Sequence, residues 1–176
     1  MTTRLPIPTK LLSTTAQPPR YAHDTDAGAD LIADEDVAVY SATTKRIRTN
    51  VAIGIPQGHV GLICPRSGLA AKHDVTVLNA PGILDVGYTG SVDVLLLNLG
   101  STTFHVKRGD RIAQLVVVPV ASCRFYDVGA ATLDGAVVLG VGDTGGLRSR
   151  GDAGFGSSGV DTEAMTATTA TEKTLS

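Results

Sequence analysis

The chain is built from short runs of valine, isoleucine and leucine. Each is cut off after a few residues by glycine, proline, aspartate or asparagine, and no stretch carries a sustained helical period. Runs of that length and composition are strand-forming, and the punctuation between them confines the chain to an all-β architecture. Strands are expected at residues 37–40, 49–55, 59–64, 91–99 and 111–120. Residues 59–64 alternate, with Val60, Leu62 and Cys64 on one face. The runs 94–97 and 115–118 are continuously apolar, the pattern of strands covered on both sides. One short helix is expected, at about residues 67–73 (SGLAAKH). Many short strands at regular spacing indicate a sandwich or barrel.

The 176 residues divide unevenly. Residues 1–147 are expected to form a single β domain, the size of one hydrophobic core. Within it, residues 132–147 form a glycine-rich loop with one apolar patch at 136–139. Residues 148–159 read as a glycine-rich arm. Residues 160–176 (VDTEAMTATTATEKTLS), rich in threonine and alanine without apolar periodicity, are expected to be a disordered tail. A formal net charge of -2 gives no reason to expect nucleic acid or an anionic membrane as partner. No run approaches 18 apolar residues, and the start, MTTRLPIPTK, lacks a signal-peptide core. Cys64 and Cys123 could pair, but are expected to be small buried hydrophobes, unpaired, in a reducing compartment. The expected setting is cytoplasmic, or nuclear, and not secreted.

Five segments carry candidate chemistry. Ala27 to Leu31 (AGADL) sets Asp30 behind a glycine turn, either as an ordinary turn acid or as an acid near a phosphate-bound Mg2+, acting through water. Pro65 to Ala70 (PRSGLA) follows a strand and opens the helix. Ser67 can be the N-cap or a phosphate ligand, and Arg66 can add a charge-assisted fork. Gly82 to Gly90 (GILDVGYTG) places Asp85 among apolar neighbours, where it either satisfies turn N–H groups or deprotonates a water. In Arg108 to Leu115 (RGDRIAQL), Gln114 lies within an apolar run, so its amide needs a partner, a phosphate or a neighbouring backbone. Arg148 to Gly159 (RSRGDAGFGSSG) combines arginine, glycines, hydroxyls and one aromatic, either as a linker or as an arm that closes over a nucleotide. The pattern at Gly140, Gly142 and Gly145 matches a dinucleotide fingerprint, but no helix follows it, so it lacks the required context. The four histidines show no metal-ligand spacing.

Each segment is ambiguous alone; their order is specific. AGADL, PRSGLA, GILDVGYTG, RGDRIAQL and RGDAGFGSSG resemble, in sequence order, the five motifs of the trimeric deoxyuridine triphosphatases (dUTPases), over about residues 27–159. The resemblance implies a jelly-roll-like β-sandwich with one short helix and a flexible C-terminal arm. It implies a homotrimer with shared active sites, and hydrolysis of dUTP to dUMP and pyrophosphate by water attack at the α-phosphorus. That reaction lowers dUTP and supplies dUMP for dTMP synthesis. Mg2+ would be held mainly by the triphosphate, with Asp30 near its water shell. By the same resemblance Asp85 activates the water and Tyr88 packs under the deoxyribose. Asn79 reads the uracil with backbone at Ile83 and Leu84. Arg66, Ser67, Gly68 and Gln114 bind phosphates. Arg150 meets the γ-phosphate, Phe155 stacks on uracil, and Gly156, Ser157 and Ser158 surround the phosphates.

The chain departs from the family pattern at several points. Thr89 stands where Arg is usual, Ser91 where an acid is common, and Asp93 where some relatives are basic. Leu84 replaces Ile and Ala153 replaces Gly. The stretch between Val120 and Arg150 is roughly ten residues longer than usual, and its loop at 132–147 is the place to look for a protein partner. The dCTP deaminases share fold and motifs, but their chemistry needs a glutamate where this chain carries Leu95, and no glutamate occurs between Glu35 and Glu163.

Overall fold

The computed structural model describes residues 4–125. The loop at 132–147, the arm at 148–159 with Arg150, Phe155, Gly156, Ser157 and Ser158, and the tail at 160–176 lie outside the described residues.

Among the described residues, eleven strands and one helix follow in order. They are β1 (Thr9–Leu11), β2 (Ala29–Ile32), β3 (Val37–Val39), β4 (Thr44–Ile47), β5 (Val51–Ile53), β6 (His59–Cys64), α1 (Ser67–His73), β7 (Val75–Val77), β8 (Gly82–Leu84), β9 (Val94–Asn98), β10 (Phe104–Val106) and β11 (Arg111–Pro119). A four-stranded sheet runs β2–β11–β6–β8 and a three-stranded sheet runs β4–β9–β7. The pairs β1–β5 and β3–β10 complete a jelly-roll-like sandwich. Every pairing is antiparallel, and β11 is the spine, pairing with β2 through its first half and with β6 through its second. None of the helices is long and apolar enough to cross a membrane among the described residues.

The core lies between the sheets. Leu31, Val39, Ile47, Val51, Ile53, Val75, Val94, Leu96, Val106 and Ile112 are essentially inaccessible and belong to one contiguous cluster. Removing each such side chain from water contributes about 1.5–3 kcal/mol. Two polar groups are buried with them and fully bonded. Thr49 donates its hydroxyl to the Val92 carbonyl at 2.6 Å. Asn98 donates to the carbonyls of Val39 and Thr102 and accepts from the Gly100 N–H. It thereby ties the end of β9 to β3 and to the turn that follows, as a buried amide must be tied.

The expected strand at 59–64 and the helix at 67–73 appear with those limits. The other expected strands are shorter: 49–55 contracts to Val51–Ile53, because Asn50 takes a positive φ of 51° that breaks the extended run. Two expectations are corrected. The continuous runs 94–97 and 115–118 are not covered on both sides within one chain. In β9 Val94 and Leu96 are buried while Leu95 and Leu97 are half-exposed, and in β11 Leu115 is buried while Val116, Val117 and Val118 are half-exposed. The opposite sheet covers only one face. Ser67 is not the N-cap: Arg66 holds that position in an extended conformation, and no side chain caps the helix.

Candidate active site

Three of the sequence-predicted residues, Asp30, Arg66 and Gln114, converge at the junction of β2, β6 and β11. Asp30 on β2 faces Gln114 on β11, and Gln114 in turn faces Cys64 at the end of β6. Arg66, just beyond β6, donates through Nε to Asp30 Oδ1 at 2.8 Å and through Nη1 to the Arg111 carbonyl at 3.0 Å. Arg111 donates to the other carboxylate oxygen of Asp30 at 3.2 Å. Asp30 is buried and the two guanidinium groups neutralise it there, as burial of a charge requires.

A β-bulge builds this arrangement. Pairing of β11 with β2 shifts register between Arg111 and Ala113. In a regular strand residues three apart point to opposite faces. The extra residue turns Arg111 and Gln114 to the same side, and Ile112 and Ala113 are consecutively buried as a result. Sequence reasoning missed Arg111 because strict alternation puts it on the wrong face, and only the bulge brings it to Asp30.

Gln114 resolves one open alternative toward backbone: its Nε2 donates to the Pro65 carbonyl at 2.9 Å. The amide has two N–H groups, and the second has no partner among the described residues. This bond fixes the turn from β6 into α1. There Leu69 and Ala70 N–H groups return to the Arg66 carbonyl. With no side-chain cap and no acid in the first turn, the N–H groups of Ser67 and Gly68 point out of the helix as free donors at its positive end. Both residues are exposed. Arg66, Ser67, Gly68 and Gln114 thus form one cationic, donor-rich corner.

The second group sits on and around β8. Asn79 is exposed, with Nδ2 lying against Gly82, where an added Cβ would be 3.3 Å away. Ile83 is exposed and the Leu84 side chain is in the core, so Leu84 can offer a ligand only its backbone. β8 is the edge of its sheet, which leaves one side of its backbone unpaired in the sheet and open to a hydrogen-bonding partner. Asp85 begins a turn in which its carbonyl accepts from the Tyr88 N–H at 3.3 Å. Gly87, at φ 82°, takes the left-handed conformation that third position of the turn demands. Asp85 and Tyr88 are half-buried. The Tyr88 hydroxyl donates to the Ser91 carbonyl at 2.9 Å. Of the departures from the family pattern, Ser91 and Asp93 are satisfied locally: the Ser91 hydroxyl donates to Asp93 at 2.7 Å and Arg46 pairs with Asp93 at 3.4 Å.

The two groups do not meet within one chain. Gly82 lies opposite Ile63 and Leu84 opposite Gly61, so Asp85 continues away from Arg66 along β6. At about 3.3 Å per residue, the Asp85 end and the Arg66 end are about 20 Å apart.

A family model described as dUTPase matches residues 14–145. The deoxyuridine 5'-triphosphate nucleotidohydrolase of Thermobifida fusca is 47% identical over 129 residues, covering 73% of this chain and 72% of the relative. That of a Picosynechococcus strain is 48% identical over 142 residues, covering 81% and 90%. Among solved structures, the dUTPase of phage phi11 of S. aureus superposes with a TM-score of 0.68 at 28% identity, covering 73% of this chain and 99% of its own. A mutant of that phage enzyme, described with a structural Mg(II) ion, superposes at 0.67 with 29% identity, covering 70% and 97%. With a sandwich of this topology, the ordered motif segments and matches spanning most of its length, the chain belongs to the dUTPase family, the enzymes that hydrolyse dUTP to dUMP and pyrophosphate.

Proposed function

We propose that this chain turns over dUTP in sites shared between copies of itself, arranged as a homotrimer, with Mg2+ carried mainly by the substrate's triphosphate. The layout along β6 carries this reading. The water-activating acid and the phosphate corner lie at opposite ends of one strand, further apart than a triphosphate reaches. A ring in which each copy presents its Asp85 end to its neighbour's Arg66 end closes that gap, and cyclic head-to-tail contacts of this kind generate rings. The outward face of the four-stranded sheet supports it. Val60, Leu62 and Cys64 with Val116 and Val118 form a half-exposed apolar layer beside exposed Ile83.

In such a site the phosphates meet Arg66, the N–H groups of Ser67 and Gly68, and the remaining N–H of Gln114. Asn79 and the open backbone edge at Ile83 and Leu84 read the uracil. Mispaired bases leave buried polar groups unsatisfied, which rejects them strongly. Tyr88 packs under the deoxyribose. Asp85 takes a proton from water as the water oxygen bonds to the α-phosphorus, and the bond from that phosphorus to the departing pyrophosphate breaks. By their match to the fifth motif, Arg150 is assigned to the γ-phosphate, Phe155 to stacking on uracil, and Gly156, Ser157 and Ser158 to the phosphates. The loop at 132–147 is offered as the surface for a protein partner, to be tested by deleting it and following catalysis and binding separately.

Mg2+ favours oxygen ligands and is usually held by one or two carboxylates plus substrate phosphates. Among the described residues no group of three or more His, Cys, Asp or Glu is placed to hold a cation. Asp30, beside the phosphate corner, already has each carboxylate oxygen on a guanidinium, which suits contact with the ion's water shell and not direct coordination. That donor set fits an ion brought by the triphosphate, with Asp30 reaching its water shell. When bound, the ion offsets phosphate charge.

The test is complementation. Asp85→Asn and Arg66→Ala are each expected to be nearly inactive. Mixed after dissociation and reassembly, they should recover about a quarter of wild-type turnover, because one site in every mixed ring draws both intact residues from different copies. No recovery from properly mixed rings would put both groups in one chain's site and overturn the shared arrangement.

A further inference from the structure

Gly28 lies in the AGADL segment, one residue before β2, and is half-buried. A Cβ added there would fall 2.3 Å from Gln114 Oε1 and 3.1 Å from both Cβ and Cδ of Gln114. The one contact under 3.0 Å is with the amide oxygen, while Cβ and Cδ are only tight, so the amide tip must move to make room and carries Nε2 with it. Gly28 does not occupy the left-handed region: positive φ among the described glycines is confined to Gly58, Gly87 and Gly109. Its backbone is open to alanine, and the requirement for glycine comes from the space that Gln114 fills.

Gln114 uses that space to reach the Pro65 carbonyl, the residue before Arg66. We propose that Gly28 is a positioning residue of the triphosphate site. By leaving room for Gln114 against β2, it holds the Pro65–Arg66 turn where the Arg66 guanidinium and the Ser67 and Gly68 N–H groups converge on the phosphates. The inference rests on the reading of that corner as the phosphate site. It adds that the glycine of the first motif acts through the glutamine of the fourth. A side chain at position 28 displaces the Gln114 amide, frees the Pro65 carbonyl, and costs phosphate contacts while leaving contacts to the base and sugar intact.

Three full-length variants test this: Gly28→Ala, Gln114→Ala and the two combined. The probes are α,β-imido-dUTP, which carries the full phosphate chain, and dUMP, which does not. Gly28→Ala and Gln114→Ala should each weaken the imido analogue by about tenfold or more, the loss of one or two hydrogen bonds to charged groups. Binding of dUMP should hold within about twofold of wild type. The double variant should match Gln114→Ala alone, since removing the glutamine side chain removes the clash, and coupled residues are not additive. If Gly28→Ala fails to fold while the double variant folds and matches Gln114→Ala, the same coupling is shown. Gly28→Ala with wild-type binding, an additive double variant, or a double variant that does not fold would each overturn the role of Gly28. Gln114→Ala with undiminished binding of the imido analogue would instead remove the phosphate reading beneath it.

Discussion

Arg66 meets Asp30 through Nε at 2.8 Å, which orients the guanidinium edge-on to the carboxylate and leaves Nη2 without a hydrogen-bond partner among the described residues. Arg111 holds the opposite carboxylate oxygen. The acid of the first motif therefore fixes the arginine of the second, whatever further part it has with Mg2+. Asp30→Asn keeps the shape but removes the charge between two cations. It should lower kcat/KM for dUTP by about tenfold to a hundredfold, since misplacement of a binding group by about 1 Å has costs of this order. Arg111→Ala should lower kcat/KM less, and should change stability by only about 1 kcal/mol, because Arg111 is itself half-exposed and Arg66 still pairs with the buried Asp30. Steady-state kinetics with parallel thermal melts check both. Wild-type kinetics for Asp30→Asn would show that Arg66 needs no such guide.

Asp85→Asn should lower kcat by on the order of 10²–10⁴, the range of a lost general base. KM should change far less than kcat, because the assigned role is proton transfer and not binding. Single-turnover measurements with dUTP check this. Undiminished turnover would remove the assigned role.

How far these features were legible in the sequence depends on how locally they are encoded. β6 and α1 had the expected limits because both are bracketed by local punctuation: Pro65 after the strand, and Asp74 in the left-handed conformation after the helix. The three-residue strands β1, β7, β8 and β10 escaped because so few residues carry no readable period. β4, TKRI, escaped because it is exposed and polar over three of its four positions. Its strand state comes from pairing with β9, a contact between distant parts of the chain. The motifs announced Asp30, Arg66 and Gln114, but not Arg111 or Gly28. The first depends on a bulge and the second on space left for a residue 86 positions away, and neither leaves a local signature.

Asp34 gives the fold a defined response to acid. It is buried at 5% exposure, which alone would raise its pKa. Hydrogen bonds from Ser13, Thr15 and Asn50 and the Arg108 guanidinium outweigh that, and the carboxyl titrates below its ordinary 3.8. A carboxyl lowered in the folded state stabilises the fold at pH above its unfolded value, and the contribution disappears as pH falls through the folded value. Melting temperature should thus be flat near neutrality and fall below about pH 4. Asp34→Asn should be less stable at pH 7, by about 1–3 kcal/mol for a broken buried network, with a shallower acid slope. Ser13 bonds Asp34 and also accepts the Ala16 N–H, so the loss should first release residues 13–16 from the sandwich. Thermal melts between pH 2 and 7 check the slope; equal slopes in both proteins would assign the acid sensitivity elsewhere.

Tyr88 owes its position to Gly90. A Cβ at position 90 would lie 2.7 Å from the Tyr88 hydroxyl oxygen and 3.0 Å from Cζ, so the ring rests directly on the glycine while its hydroxyl holds the Ser91 carbonyl. Gly90→Ala must push the ring away and break that bond. If Tyr88 excludes a 2′-hydroxyl by lying flat under the sugar, the displaced ring makes room for ribose. The ratio of kcat/KM for dUTP to that for UTP should then fall by about tenfold, the scale on which a single steric contact discriminates. Most of the change should be a gain with UTP and not a loss with dUTP. Tyr88→Ala serves as reference: it should lower the ratio at least as far. A lowered ratio in Tyr88→Ala with an unchanged one in Gly90→Ala would mean that the ring finds its place without the glycine. An unchanged ratio in both would move sugar selection to another residue.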